Sequence, residues 1–494
     1  MPALLLVTLP LTVQADEGDD AYRLAVGAYQ MARWDTAAES FETFIDEHPN
    51  HARVPLARFY WGLSLRNAEQ YREAHRVLSG FVKDYPDNEN RPEAMFRTAE
   101  ASYLLNDLKA AEPEFKTFIQ RNPRHEYLEW AWPYLADAQL RLGKPRDAAE
   151  NFQEAIERFP AGRLTEDAKF GLARAQEQLK EPRKALDLYR EIASDPSGTR
   201  AAEAQFNMAM LYFDHRQYTD AASAFDQLIE RFPDAPQVPP ARLNAGYSYY
   251  LNRDYAKAVE RFDAAAKTEE QARTANYWKA FSHKSLGEFS KAADLLKALY
   301  ESDPEAAETD QVLYHWADCE LRLENFDTAR ARFLDYLERQ PEGEFADESL
   351  HFAAEAALRA DQLDECARLI EQFEAKFAGG PLRYHHELLH GRLLDARGEK
   401  AAADGDAKAA ETHFRSALTH FQTVLDESGY ESRKARARFH LARTYAHLDE
   451  HDRTIESLRP LLDLLRRNES PQEYADAFVL AATTHLKRGT DLWT

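Results

Sequence analysis

The sequence predicts an all-α solenoid of about twelve helix hairpins followed by a final unpaired helix. Three observations carry this. Small residues recur in two registers at a nearly constant spacing. Apolar residues accompany them at three- and four-residue steps, which is the period of an amphipathic helix. A proline closes most units and cannot continue a helix.

The first register is Ala37, Ala74, Ala111, Ala148 and Ala185, each 37 residues from the last, and it continues at Ala221, Ala258, Ala292, Ala329, Cys366, Ala410 and Thr454. The second register, mostly twelve residues earlier, is Ala25, Gly62, Ala99, Ala136, Ala173, Ala209, Gly246, Ala280, Ala317 and Ala354, then Gly391, Ala442 and Ala482. Each unit therefore holds two helical stretches that meet at Ala or Gly, because only a small side chain lets two backbones approach closely. Four residues after the first register stand Phe41, Phe115, Phe152, Tyr189, Phe225, Phe262, Phe333 and Phe414, which fill the space beside that contact. Pro49, Pro86, Pro123, Pro160, Pro233, Pro304 and Pro341 close their units. A hairpin of this kind leaves one apolar face over, and stacking the hairpins buries it.

This pattern of Gly or Ala, then Ala, then Phe, then Pro resembles the tetratricopeptide repeat, from about Ala21 to the end of the chain. The resemblance implies a right-handed solenoid whose first helices line a concave surface, and a function in holding protein partners. The usual period is about 34 residues. Here it is mostly 37, with the three extra residues after the proline, as in DNENRPEA at 87–94. Repeats of that longer form, with Phe41–Ile45 and Phe115–Ile119 before the proline, look like those of two bacterial envelope proteins, the outer-membrane-protein assembly lipoprotein and the coordinator of the Tol–Pal system. The lipidated Cys of the former and the leading coiled coil of the latter are both missing.

Two spacings break the rule. Cys366 to Ala410 and Ala410 to Thr454 are each 44, so 381–426 reads as a lengthened hairpin. The extra residues fall in the Ala-rich stretch 398–411, which favours longer helices over a loop, and near 427–435. Residues 475–487 read as a terminal helix, serving either as a polar cap or as the point where a longer protein is cut.

At the other end, the apolar run Ala3–Val13 turns abruptly acidic at Asp16, and Val13-Gln14-Ala15 offers small residues at a cleavage spacing. Residues 1–15 therefore read as a secretory signal, with 16–494 as the solenoid, although no Lys or Arg precedes the run. The expected location is the periplasm or outside the cell; an uncleaved N-terminus would place the protein in the cytoplasm. The net charge of −23 repels phosphate backbones and anionic lipid, so nucleic acid and membrane surfaces are poor partners. No later stretch approaches the length of a membrane span.

The chemical motifs are few. His386-Glu387-Leu388-Leu389-His390 has the zinc-protease spelling. Gly391 keeps the 37-residue register through it, so His390, one residue earlier, falls in a packing position held elsewhere by Leu24, Trp61, Leu135 and Trp316. A third ligand, such as His413 or Glu411, has no supporting spacing. A zinc-dependent hydrolase is the weaker alternative, and no cofactor or metal is expected. Cys366 sits in the Ala position and reads as a small core residue, and Cys319 lies in the preceding unit.

One row remains. Three residues before the small position of the first helix stand Tyr22, Phe59, Phe96, Phe170, Phe206, Tyr277, Tyr314 and Phe439. In the middle of the chain the same face continues, through Phe206, Met210 and Phe213, then Leu243, Tyr247 and Tyr250, then Tyr277 and Phe281. These eight side chains are the expected protein-binding groove. The expected function is a non-enzymatic scaffold that holds peptide or protein segments in a pre-formed groove, in the envelope or else as a cytoplasmic module.

Overall fold

A computed structural model describes residues 17–466 and 476–491. The signal reading of residues 1–15 lies outside the described residues. Among the described residues there are twenty-five helices and no strand. The chain divides into two compact units, one up to Ser248 and one from Tyr249.

In the first unit, α1 (Glu17–Gln30) pairs with α2 (Trp34–Glu47), α3 (Val54–Asn67) with α4 (Tyr71–Asp84), and α5 (Arg91–Leu104) with α6 (Leu108–Arg121). There follow α7 (Leu128–Arg141) with α8 (Pro145–Arg158), α9 (Thr165–Gln178) with α10 (Pro182–Ala193), and α11 (Ala201–Asp214) with α12 (Tyr218–Arg231). The boundary falls inside α13 (Val238–Leu251). The second unit continues with α14 (Tyr255–Ala265), then α15 (Glu269–Ser285) with α16 (Phe289–Ser302), and α17 (Thr309–Arg322) with α18 (Phe326–Arg339). It closes with α19 (Ala346–Arg359) and α20 (Leu363–Phe377), α21 (Arg383–Ala403) and α22 (Ala407–Glu427), α23 (Glu431–His447) and α24 (His451–Arg466), and α25 (Asp476–Asp491). The fold is the all-α hairpin solenoid that the repeat spacing predicts.

The turn inside each hairpin is set by the backbone. Seven residues after the small position, one residue enters the left-handed region: Glu69 at φ 61°, for example, or Lys180 at 60°. The Glu69 N–H then donates to the Arg66 carbonyl (3.1 Å) and the Gln70 N–H to that of Leu65 (2.9 Å), which closes α3 in a Schellman turn. Only three of these positions, Gly143, Gly287 and Gly405, are glycine; nine carry a side chain.

Close approach explains the small positions. A Cβ on Gly62 would lie 2.5 Å from Leu78; Gly171, two before the small position, is tighter still, with its Cβ site 2.2 Å from Phe152 of the preceding hairpin. The aromatic of the second helix is then held between two first helices. Phe41 meets Tyr22 of its own hairpin at 6.0 Å and Tyr60 of the next at 5.9 Å. Phe333 stands in the same way between Tyr314 and Phe352, both at 5.9 Å. Each hairpin thus completes the core of its neighbour, which is why the repeat needs company to fold.

In the eleventh hairpin both helices are 21 residues long, against 14 for most others. The second set of extra residues lies at the end of α22, not in 427–435. A second small position appears as a result: a Cβ on Gly398 would sit 2.6 Å from Phe414, and one on Gly391 2.5 Å from Phe421. In α25 the expected small residue Ala482 is exposed, because no described second helix packs on it, while Ala477 and Ala481 are buried.

Candidate protein-binding face

The first helices have a buried side and an outward side. In the first unit the row three before the small position is largely core: Tyr22, Phe59, Phe96 and Phe170 are all buried, each against the second helix of its own hairpin. The position one after the small residue is more varied: Val26 in α1 is half-buried, Leu63 in α3 is buried and Arg174 in α9 is exposed. In α5 it is Glu100, which accepts from Arg66 Nη2 (2.7 Å) and Nε (3.0 Å) and from Arg97 Nη1 (3.0 Å). In α7 it is Asp137, which accepts from the Tyr103 hydroxyl at 2.7 Å. In α11 and α13 it becomes Met210 and Tyr247, both half-buried. From α5 to α13 this position thus passes from internally paired carboxylates, through Arg174, to apolar side chains.

Of the eight predicted groove residues, five lie in the first unit and three in the second, and all are half-buried. Phe206 takes the packing place, its ring edge-on to Phe225 at 5.7 Å. Phe213 leans on Tyr218 at 5.6 Å, and Met210 rests on the same core. Leu243 and Tyr247 stand on α13, in the same unit. In the second unit Tyr250 meets Trp278 at 5.2 Å, while Tyr277 and Phe281 touch at 4.7 Å. Phe281 also abuts His315 at 4.5 Å. The Tyr277 hydroxyl donates to Gln311 Oε1 at 2.6 Å, and burial pushes its pKa up to about 12. Trp278 and His315 join this aromatic surface although the sequence reading did not single them out. Both stand two before the small position, the place where Tyr60 and Phe352 stack on a neighbour.

The zinc-protease spelling comes apart in space. His386 is buried in the core, five before Gly391, where most first helices carry Ala. Burial pushes its pKa down to about 3, so the ring is neutral. His390 is half-buried, as Trp61 is at the same position of its helix: its Nδ1 lies 2.8 Å from Glu374 and its ring 4.0 Å from that of His420. His420 in turn holds Glu387 at 2.8 Å, which lowers that carboxyl's pKa. Among the described residues, the one group of three potential ligands that converges is elsewhere, at Asp395, Glu399 and His447. Arg443 already bridges its two carboxylates at 3.2 Å each, and Thr444 donates to Asp395 at 2.7 Å, so the group reads as an ion-pair network between α21 and α23. Cys319 and Cys366 are buried free thiols, pushed up to about 12 by burial.

Two family profiles, both described as tetratricopeptide repeat, match the chain, one at residues 59–126, 135–199, 206–259 and 243–307 and the other at 21–51. The chain belongs to the tetratricopeptide repeat family. No curated protein sequence matches it. Among solved structures, it is similar to the C-terminal part of a tetratricopeptide repeat protein from Cytophaga hutchinsonii, at 15% identity over 52% of this chain and 99% of that one, with a TM-score of 0.43. A tetratricopeptide repeat protein from Parabacteroides merdae matches at 18% identity over 53% of this chain and 98% of its own, with a TM-score of 0.34. Yeast Tom70 matches at 15% identity over 88% and 96%, also with a TM-score of 0.34. No helix among the described residues is long and apolar enough to cross a membrane.

Proposed function

We propose that this tetratricopeptide repeat protein is a non-enzymatic scaffold that holds peptide or protein segments against the outward face of its first helices. The observation that carries the reading is the change at the position one after the small residue. Glu100 and Asp137 there are tied up by Arg and Tyr partners, whereas Met210 and Tyr247 offer apolar surface on the same face. Half-buried rings fixed by packing make rigid anchors, and a few such anchors dominate binding energy. Because the face is formed before the partner arrives, a bound segment is not charged with the cost of ordering the scaffold.

The test is the double substitution Phe213→Ala with Tyr247→Ala. Its melting temperature should stay near that of the parent while capture of partners from a host extract weakens about thirtyfold or more, the equivalent of about 2 kcal/mol. Early unfolding would make these rings core; unchanged capture would move the binding surface elsewhere. The envelope location is part of the same proposal and rests on the pattern of residues 1–15. N-terminal sequencing of the mature protein should begin near Asp16, and an intact Met1 would favour the cytoplasmic scaffold.

A further inference from the structure

The second unit contains a pocket of about 350 Å³ whose lining differs in sign from the rest of the chain. Four successive first helices build it, α17, α19, α21 and α23. They contribute the guanidiniums of Arg322, Arg359, Arg392 and Arg436 against the carboxylates of Asp318 and Glu355. In a protein of net charge −23, four cations against two anions is a local reversal.

Three of the guanidiniums are held in place before any ligand arrives. Arg322 lies over the Phe289 ring at 5.2 Å, with its Nε donating to Asp318 at 3.2 Å. Arg359 lies over Phe326 at 4.6 Å and donates to Glu324 at 2.7 Å, while Arg392 donates to Glu355 at 2.7 Å. A guanidinium carries five N–H donors, so one such bond leaves a charged fork with capacity to spare. Stacking on a ring fixes its plane and lowers the entropy lost when it binds. Three imidazoles complete the lining. Burial pushes those of His351 and His440 down to about 3; burial and the charges of Arg433 and Arg436 lower that of His385. They are neutral and add polar groups without adding a second switchable charge.

We infer that this pocket binds an extended, acidic peptide segment with carboxylates about three residues apart. The spacing follows from the architecture. Packed helices stand about 8–10 Å apart, and a chain extended as polyproline II rises about 3.1 Å per residue with three residues per turn, so side chains three residues apart lie on one side and reach the cations of successive first helices. A peptide is favoured over nucleic acid because a long polyanion must also lie along the acidic surface beyond the pocket. The inference rests on the scaffold reading and assigns it a partner chemistry at a different place from the aromatic face.

The probe is a labelled thirteen-residue peptide with Glu at every third position on a Gly/Ser backbone. It is compared with a Gln version, and with a version of equal composition whose Glu residues are adjacent. Binding to the full chain is followed by fluorescence anisotropy at low and moderate salt. The spaced Glu peptide should bind about tenfold or more tighter than the Gln peptide, and tighter than the clustered one, with affinity falling as salt rises. Arg322→Gln with Arg359→Gln should weaken it about tenfold while leaving the melting temperature unchanged. Equal affinity for the Glu and Gln peptides, undiminished affinity in the double variant, or tighter binding of a single-stranded oligonucleotide would overturn the assignment. The Phe213→Ala with Tyr247→Ala protein should bind the Glu peptide as the parent does. Unchanged partner capture there with the peptide still bound removes the aromatic face alone; weakened capture there, with no binding of the Glu peptide to the parent, removes this pocket alone.

Discussion

The ring of His386 lies flat on that of Phe373, with centroids 3.8 Å apart and planes 17° from parallel. A histidine stacked this way belongs to the core, and it cannot share a metal with His390, whose Nδ1 is turned to Glu374 at 2.8 Å. Zinc added to the purified protein should therefore bind without a one-to-one site at the motif, and Glu387→Gln should not alter the zinc titration. Tight binding of one zinc per chain, lost in Glu387→Gln, would sink this reading.

Buried imidazoles make stability depend on acidity. His351, His386 and His440 are held down to about 3 by burial, from an ordinary value of 6.5. Below about 6.5 the unfolded chain takes up protons that the folded chain refuses, so stability falls as pH drops from 6.5 toward 3. Above 6.5 these three groups are neutral in both states and contribute no slope. Melting temperatures between pH 7 and 4.5 should show the fall, and His386→Leu should make it shallower. An unchanged slope in that variant would assign the effect to other groups.

Two glycines on the same long helix should prove sensitive. An added methyl at Gly391 meets Phe421 at 2.5 Å, and one at Gly398 meets Phe414 at 2.6 Å. Each Gly→Ala substitution there should destabilise by about 1–3 kcal/mol through overpacking. Gly27 in α1 has open space around it, so Gly27→Ala should instead stabilise by about 0.5–1 kcal/mol through helix propensity. Chemical denaturation of the three variants gives the comparison, and a neutral Gly391→Ala would mean the hairpin can spread.

Thiol chemistry offers a fourth check. With Cys319 and Cys366 buried, free and pushed up to about 12, neither presents a thiolate near neutral pH. A thiol reagent should label the native protein slowly and two groups per chain rapidly in denaturant. Fast native labelling would show that the ninth and tenth hairpins open readily.

The hairpins were legible because their cause is steric: a position that must be Ala or Gly in unit after unit leaves a mark at a fixed spacing. Gly398 was not, because counting 37 from Ala354 lands on Gly391, and the second small position exists only once the helix runs two turns longer. Counting back from Gly391 put His390 in a position held elsewhere by Leu or Trp, but the reading gave His386 no place, and the structure buries it in a position usually held by Ala. The basic pocket was invisible because its four arginines are about 30 to 50 residues apart and stand at three different positions of the repeat. Only folding brings them onto one surface.

The left-handed turn residues have a practical consequence. Nine hairpins place a side chain where glycine would be unstrained, at a cost of about 1 kcal/mol or more each, partly offset by the greater freedom of glycine in the unfolded chain. These sites lie in separate hairpins, so relieving them one at a time should add nearly independently. Lys180, Arg216 and Asp361 are thus adjustment points at which the endurance of the molecule can be raised stepwise, without altering either surface that has been assigned a partner.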